Sequence, residues 1–269
     1  MIAEIGGKRY EWGSRTYVMG IVNVTPDSFS GDGLGADAEA AVEQGLRMVR
    51  EGADMLDVGG ESTRPGHVPV SVAEEISRTE SVVQRLAADA GVPVSIDTYK
   101  EEVAQRGVAA GATILNDVWG LTRSPAIADL AAGHGCALVL MHNQEGTEYS
   151  GDLMAEIKRF LAAAASRAVA AGVPKEKVIV DPGIGFGKTA EHNWEVMRRL
   201  GELRELGHPI LIGTSRKSFI GKLLDLPVTD RLEGTAATVV ASVLRGADIV
   251  RVHDVLAMTR AVRVADRIK

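Results

Sequence analysis

Short apolar runs alternate with longer amphipathic segments along almost the whole chain, and this alternation limits the fold more than any other feature. The runs are rich in β-branched residues, which is typical of parallel strands that are buried on both faces and joined by crossover helices. Eight runs occur, at residues 17–23, 55–59, 94–97, 113–116, 137–142, 178–181, 210–213 and 249–253. The pattern therefore predicts an α/β fold with eight parallel strands.

A glycine precedes each of the last seven predicted strands. Glycine ends a helix at low cost because it adopts the left-handed backbone conformation without a Cβ clash. The seven are Gly52, Gly91, Gly111, Gly135, Gly172, Gly207 and Gly246. Eight similar units within roughly 250 residues favour closure into a (β/α)8 TIM barrel, although an open doubly wound sheet shows the same alternation. We predict a TIM barrel as a single domain over residues 1–269, with residues 1–16 as an N-terminal cover segment.

Composition and charge limit which classes of partner the protein can bind and indicate its cellular compartment. The formal net charge of −6 gives no electrostatic reason to expect nucleic acid or an anionic membrane as a partner. No basic and apolar leader is present, and no apolar run approaches the ~20 residues that span a bilayer. The single cysteine, Cys136, begins an apolar run and cannot form an internal disulfide. These features predict a cytoplasmic protein that binds neither nucleic acid nor membrane.

Polar residues stand where most of the predicted strands end. The carboxyl ends of barrel strands carry the active site in TIM-barrel enzymes. One such residue is more often a helix cap than a catalytic group, but so many side chains at one barrel mouth indicate a functional site. They are Asn23, Asp97, Asn116, His142, Asp181, Arg251 and His253, with residues 215–217 just past strand seven.

The acceptor groups among these residues suit a flat nitrogen heterocycle. Asp97, Asn116 and Asp181 supply carboxylate and amide oxygens, and a carboxylate can accept two parallel N–H groups from an amino-pyrimidinone ring. A divalent metal site is the alternative, but metal sites draw several oxygens close together and these three residues lie on three different strands.

The basic residues suit an anion. Arg251 and His253 alternate with Val252, so both point to the same side of a strand, and Lys217 with Ser218 can add a cation and helix N-terminal amides. Asn23, followed by Asp27 and Asp32, can supply oxygens to a magnesium ion carried on a diphosphate.

Two other motifs are weaker. The segment at residues 181–189 is similar to a nucleotide P-loop, but Pro182 stands where that motif requires glycine. The segment instead predicts a tight turn in which the glycines let the backbone come close to neighbouring atoms, with Phe186 exposed as an aromatic wall. Lys217 is also a candidate Schiff-base lysine, although the neighbouring Arg216 would do little to lower its pKa and the residue lies past the strand.

Seven blocks together strongly resemble the dihydropteroate synthase family. The similarity runs from strand one to strand eight, and its two longest blocks read NVTPDSFS and DVGGESTRPG. One departure is visible, because Asp32 follows Ser30 and Gly31 where many members place the aspartate directly after the serine. The blocks lie at residues 23–30, 57–66, 95–98, 116–118, 181–188, 215–218 and 251–254.

The resemblance implies an activity. It is the magnesium-dependent condensation of 4-aminobenzoate with dihydropterin-methyl diphosphate, which gives dihydropteroate and pyrophosphate in folate biosynthesis. A homodimer is also implied. A pterin-barrel methyltransferase and a non-catalytic pterin-binding relative are the alternatives.

The resemblance also assigns residues to each substrate. Strands three, four and six would read the pterin ring, while strands one and eight, with the loop at residues 60–66 after strand two, would handle the diphosphate. Asn23, Asp32, Arg64, Lys217, Arg251 and His253 would be catalytic, with Asn23 also meeting the metal. Pterin diphosphate would be bound by Thr63, Asp97, Asn116, Met141, Asp181, Lys217, Arg251, Val252 and His253. The aminobenzoate site would consist of Phe29, Pro65, Phe186 and Ser218.

Overall fold

All eight predicted strands are present in the computed structural model, which describes residues 1–24, 34–62 and 69–269. A short antiparallel hairpin, β1 (Ile2–Ile5) and β2 (Lys8–Glu11), precedes them. The eight barrel strands are β3 (Tyr17–Asn23), β4 (Met55–Gly59), β5 (Val94–Asp97), β6 (Ile114–Asp117), β7 (Ala137–Met141), β8 (Val178–Asp181), β9 (Leu211–Ile212) and β10 (Ile249–Val252).

The strands are parallel and close into a barrel. Their order in the sheet is β8-β7-β6-β5-β4-β3-β10-β9, so the two ends of the list are β8 and β9. A parallel bridge between Val180 and Ile210 joins those ends, and the Val180 N–H donates to the Pro209 carbonyl at 2.9 Å. The predicted (β/α)8 barrel is therefore confirmed.

Strand boundaries differ from prediction by one residue at several ends. The largest difference is at strand seven, where residues 210–213 were expected and only Leu211–Ile212 are extended. Pro209 has no N–H to donate, and Gly213 has no side chain to pack against the neighbouring strand. The short strand results from this composition.

Nine helices lie within the described parts of the chain and cover the outside of the barrel. Each of the seven predicted helix-ending glycines has a positive φ, between 66° and 109°. The helices are α1 (Leu34–Arg50), α2 (Val72–Asp89), α3 (Glu101–Ala109), α4 (Ile127–His134), α5 (Leu153–Ala170), α6 (Ala190–Arg199), α7 (Ser218–Leu224), α8 (Leu232–Leu244) and α9 (Val255–Ile268).

The apolar core has two parts. One lies between the strands and the helices, and the other fills the barrel interior. The hairpin closes the interior part with Tyr10 and Trp12, whose rings contact that of Tyr17 at centroid distances of 4.9 and 5.5 Å. The Trp12 indole N–H donates to the Glu176 carbonyl at 2.9 Å. This plug leaves the opposite end of the barrel, at the carboxyl ends of the strands, for a site.

None of the helices described is both long and apolar enough to cross a membrane.

Candidate active site

A polar layer lies above the apolar interior of the barrel. Because side chains alternate along a strand, the residue two positions after an inward-facing one also faces inward. On four strands, an apolar side chain that faces inward is followed two residues later by a polar side chain that also faces inward. The pairs are Met55 and Asp57, Ile114 and Asn116, Ile179 and Asp181, and Ile249 and Arg251.

The polar layer is the floor of a cavity of about 470 Å³, including the space open to solvent. Eight of the predicted site residues line it, namely Asp97, Asn116, Met141, Asp181, Phe186, Lys217, Arg251 and His253. The other lining residues are Ile21, Val118, Ile184, Gly213 and Ser215. Residues from six strands and from the loops that follow β6, β8, β9 and β10 thus converge on one site.

One hydrogen-bonded network crosses the floor of this cavity. The Arg251 guanidinium donates from Nε to Asp57 Oδ2 and from Nη2 to Asp97 Oδ2, both at 2.6 Å. The Asn116 amide donates from Nδ2 to the same oxygen of Asp57 at 2.9 Å. The two buried carboxylates raise the pKa of Arg251 above its ordinary value despite its burial. The arginine is a fixed cation at neutral pH.

Asp97 carries an unsatisfied acceptor. Its Oδ1 atom is buried and has no hydrogen-bond partner, although the side chain lines the cavity. Burial raises the pKa of Asp97 to about 7, while Arg251 opposes and the charge of Asp57 reinforces that rise. A buried polar atom without a partner is costly, so this oxygen suits an N–H donor of a ligand.

Asp181 is held by the turn that follows β8. The Gly183 N–H donates to Asp181 Oδ1 at 2.7 Å, and burial raises the pKa of the carboxyl. Gly183 has a φ of 74°, and a Cβ there would collide with the carbonyl oxygen of His142. The predicted turn of close approach therefore requires glycine at this position.

Lys217 and Phe186 form one wall of the cavity. The Lys217 Nζ lies 4.2 Å from the centre of the Phe186 ring and donates to the Ile184 carbonyl at 2.8 Å. The ammonium thus lies over the aromatic face, a favourable electrostatic contact.

His253 is neutral at physiological pH. Burial and the nearby Arg216 and Arg251 lower the pKa of its ring to about 3. The Ser215 Oγ lies 2.9 Å from His253 Nδ1 and accepts the His253 backbone N–H, so its own hydrogen is available to Nδ1. A hydrogen bond from Ser215 to Nδ1 would leave the ring proton on Nε2. In that tautomer the neutral ring offers an N–H donor to the cavity but no positive charge.

Comparison with known proteins agrees with this geometry. The family profile described as "Pterin binding enzyme" matches residues 19–253. A dihydropteroate synthase of Clostridium beijerinckii is 50% identical over 264 residues, covering 98% of both chains. The chain belongs to the dihydropteroate synthase family.

Solved structures of the family have the same fold. Dihydropteroate synthase of Clostridium difficile, crystallised in the presence of pteroic acid, superposes with a TM-score of 0.94 and 49% identity, covering 96% of this chain and 98% of that one. The Xanthomonas albilineans enzyme with 4-aminobenzoic acid gives a TM-score of 0.93 and 42% identity, with 99% and 97% coverage.

Three predicted site residues do not line the cavity. Asn23 is the last residue of β3 and is half-buried, and Ser218 is exposed as the first residue of α7. The Val252 side chain is fully buried in the outer core, so only its backbone is available to the site. Five further predicted residues, with Asp27, lie outside the described residues: Phe29, Asp32, Thr63, Arg64 and Pro65.

Asp57 was not among the predicted site residues. It lies within β4 rather than at its end, so the strand-end pattern did not select it. The signal that identifies it is its position two residues after the inward-facing Met55. A fully buried carboxylate in an inward column needs a partner, and Arg251 and Asn116 provide two.

The sequence analysis also did not predict a buried pair formed by Lys188 and His142. The Lys188 ammonium contacts His142 Nδ1 at 2.9 Å and donates to the Phe186 carbonyl at 3.0 Å. Burial lowers the pKa of Lys188 to about 7 and that of His142 to about 3. His142 had been expected at the barrel mouth, but its ring packs against Tyr149 and Phe160, away from the cavity lining.

No group of three or more histidine, cysteine, aspartate or glutamate residues in the described part of the chain is placed to hold a metal. Asp57 and Asp97 both bond Arg251 instead.

Proposed function

We propose that this enzyme condenses 4-aminobenzoate with dihydropterin-methyl diphosphate to give 7,8-dihydropteroate and pyrophosphate, a step of folate biosynthesis. Family membership supports this proposal, and so does the named dihydropteroate synthase relative at 50% identity. The observation that carries it is the pairing of an unfilled carboxylate oxygen on Asp97 with the cation of Arg251 in one cavity.

The pterin ring would bind to the polar floor. Asp97 Oδ1 and the Asp181 carboxylate are acceptors for the ring N–H groups, and Asn116 keeps its amide oxygen and one N–H after bonding Asp57. Met141 would support the ring as an apolar surface. Charged acceptors give strong hydrogen bonds, which makes this floor selective for an amino-pyrimidinone edge.

The reaction would be a displacement at the methylene carbon of the pterin substrate. The carbon–oxygen bond to the diphosphate breaks and its electron pair leaves with the oxygen, while the electron-rich ring shares the positive charge on the methylene. The amine nitrogen of aminobenzoate then forms the new carbon–nitrogen bond and loses a proton. Arg251, Lys217 and the His253 N–H would already be in place to stabilise the negative charge that develops on the departing diphosphate. The aminobenzoate would lie beside Phe186, with its carboxylate at Ser218.

A magnesium ion would accompany the diphosphate. Magnesium keeps several waters and takes few protein oxygens when it is bound with a phosphate substrate. Asn23 would supply one amide oxygen from the end of β3, which is half-buried at the mouth of the barrel. The ion would add positive charge to the leaving group.

A homodimer is part of the proposal. Apolar residues recur every four positions along α8, at Leu232, Ala236, Val240 and Leu244; the two leucines are exposed, and Ala236 and Val240 are partly buried against the core. Such a stripe costs free energy in water and favours burial against a second copy. The cytoplasmic location expected from the single cysteine stays a prediction.

Pyrophosphate release separates this function from its alternatives. The purified protein, given both substrates and magnesium, should release pyrophosphate in amounts equal to the dihydropteroate formed. A pterin-barrel methyltransferase or a non-catalytic pterin-binding relative would release none. No release at saturating substrate would contradict the proposed activity.

A further inference from the structure

A buried carboxylate joins the two halves of the candidate site. Asp57 faces the barrel interior from β4 and is fully buried, and a single oxygen, Oδ2, accepts from both Asn116 and Arg251. These two donors come from β6 and β10, which lie on opposite sides of β4 in the sheet order. Asn116 belongs to the proposed ring-binding floor, and Arg251 to the proposed diphosphate site.

The geometry fixes the arginine in one orientation. Its Nε and Nη2 atoms bond Asp57 and Asp97, and Nη1 takes part in neither bond. A guanidinium is planar, so two bonds at one edge determine where the remaining N–H groups point. A buried ion pair is weak evidence for stability, because desolvation offsets much of the attraction. Orientation is therefore the better explanation for this arrangement.

We propose that Asp57 is a positioning residue that couples the two halves of the site, because its one oxygen holds both the amide that reads the pterin ring and the arginine that receives the diphosphate. A ring bound to Asn116 and Asp97 would reinforce the bonds of Asp57 and Asp97 to Arg251 and would hold the guanidinium in this orientation for the diphosphate. This inference rests on the proposed function.

The proposal predicts a measurable coupling between two ligands that bind without turnover. The probes are the dihydropterin alcohol, which lacks the diphosphate, and inorganic pyrophosphate with magnesium. In the wild-type protein, saturating dihydropterin alcohol should increase the affinity for pyrophosphate by about tenfold. Reciprocity requires the same factor in the opposite order. Isothermal titration calorimetry measures both.

Two variants of Asp57 separate geometry from charge. Asp57→Ala removes the shared acceptor and leaves only the direct bond between Arg251 and Asp97, so the coupling factor should fall well below the wild-type value. Asp57→Asn keeps an oxygen that can accept both N–H groups, so it should retain coupling; loss there too would assign the positioning to the charge of Asp57. Ser95→Ala is the matched control, because Ser95 pairs in register with Asp57 and is equally buried, and its hydroxyl has no hydrogen-bond partner.

The pH dependence of ring binding gives a second measurement, which also serves if the alanine variant fails to fold. The charged and titratable groups around Asp97 are Arg251 on β10, Asp57 on β4, Glu75 on α2, and Lys217. The pKa of Asp97 is about 7, so affinity for the dihydropterin alcohol should fall below that pH as the acceptor becomes protonated. Asp57→Asn removes one charge that raises this pKa, so the fall should begin at a lower pH.

The outcomes are distinguishable from failure of the proposed function. Wild-type coupling that persists in folded Asp57→Ala, or no coupling in the wild type, would overturn the positioning role. An unchanged pH midpoint in Asp57→Asn would also overturn it, because Asp57 would then have no influence on the carboxylate that reads the ring. Pyrophosphate release by the wild type tests the reaction itself, and its absence with coupling intact would contradict the reaction while supporting the coupling.

Discussion

At the scale of single residues, the unsatisfied oxygen of Asp97 gives the most direct test of ring recognition. Asp97→Asn keeps the shape but presents an amide N–H where the carboxylate accepts. Losing one partner of a buried charged hydrogen bond costs about 2–5 kcal/mol, so affinity for the dihydropterin alcohol should fall at least about thirtyfold. Calorimetry at pH 8, where Asp97 is mostly ionised, measures the loss.

A carboxylate outside the cavity lining is the control for Asp97. Asp117 is also buried and accepts the backbone N–H groups of Trp119 and Leu121. Asp117→Asn should lower stability but leave ring affinity within about twofold of wild type, since no ligand contact changes. Equal losses of ring affinity in both variants would argue against a ligand-binding role for Asp97.

Lys188 predicts a pH-dependent stability. Its pKa is about 7 in the folded protein against 10.5 for an ordinary lysine, because burial disfavours the ammonium. Between these pH values the unfolded chain binds a proton that the folded chain does not, so stability rises as pH increases through this window. The rise approaches about 1.4 kcal/mol per pH unit.

Lys188→Met should lack this rise. Urea unfolding at several pH values from 7 to 10 compares the slopes, and Lys222→Met, at an exposed lysine of α7, is the control with the wild-type slope. Parallel curves for wild type and Lys188→Met would show that the lysine is not desolvated in solution.

Sequence reasoning found the residues at the ends of strands and missed those whose roles depend on barrel closure. Asp97, Asn116 and Asp181 follow apolar runs, so their positions are visible in one dimension. Asp57 acquires its partners only because β10 and β6 approach β4 in three dimensions. Barrel closure also explains a second contact that the sequence did not predict. Arg251 was expected to bind only the diphosphate, but it also bonds Asp97, which was expected to bind the pterin ring.

At the scale of elements, the turn after β8 connects backbone strain to substrate binding. Gly183 combines a left-handed backbone with a close approach to His142, and its N–H holds Asp181. The left-handed conformation alone costs a residue with a Cβ about 1–2 kcal/mol. Gly183→Ala should lower the free energy of unfolding by more than this, because the Cβ would also collide with the His142 carbonyl. It should also raise the KM for the pterin substrate because Asp181 is displaced.

Gly133 is the matched control for this turn. It lies within α4, its φ is not positive, and a Cβ there would contact nothing within 4 Å. Gly133→Ala should stabilise the protein by about 0.4–1 kcal/mol and leave KM unchanged. Urea unfolding measures the stability of both variants, and steady-state kinetics measures their KM for the pterin substrate. Destabilisation of similar size in both would contradict the steric explanation at Gly183.

Glycine spacing was the more reliable predictor of elements, while strand ends depended on context. The seven helix-ending glycines all have the predicted backbone, because that requirement is local. The length of β9 was overestimated because Pro209 and Gly213, on either side of it, limit how far its pairing extends.

At the scale of the whole molecule, the exposed stripe on α8 tests the proposed dimer. Sedimentation equilibrium should give twice the chain mass of 28.5 kDa for the wild type. Leu232→Glu places a charge at the exposed start of the stripe, and burying an unpaired charge costs several kcal/mol, so this variant should sediment as a monomer. Val264→Glu on α9 is the control, because Val264 is 61% exposed and lies outside the stripe. A wild type at the chain mass, or a Leu232→Glu variant that stays dimeric, would show that α8 does not form the interface.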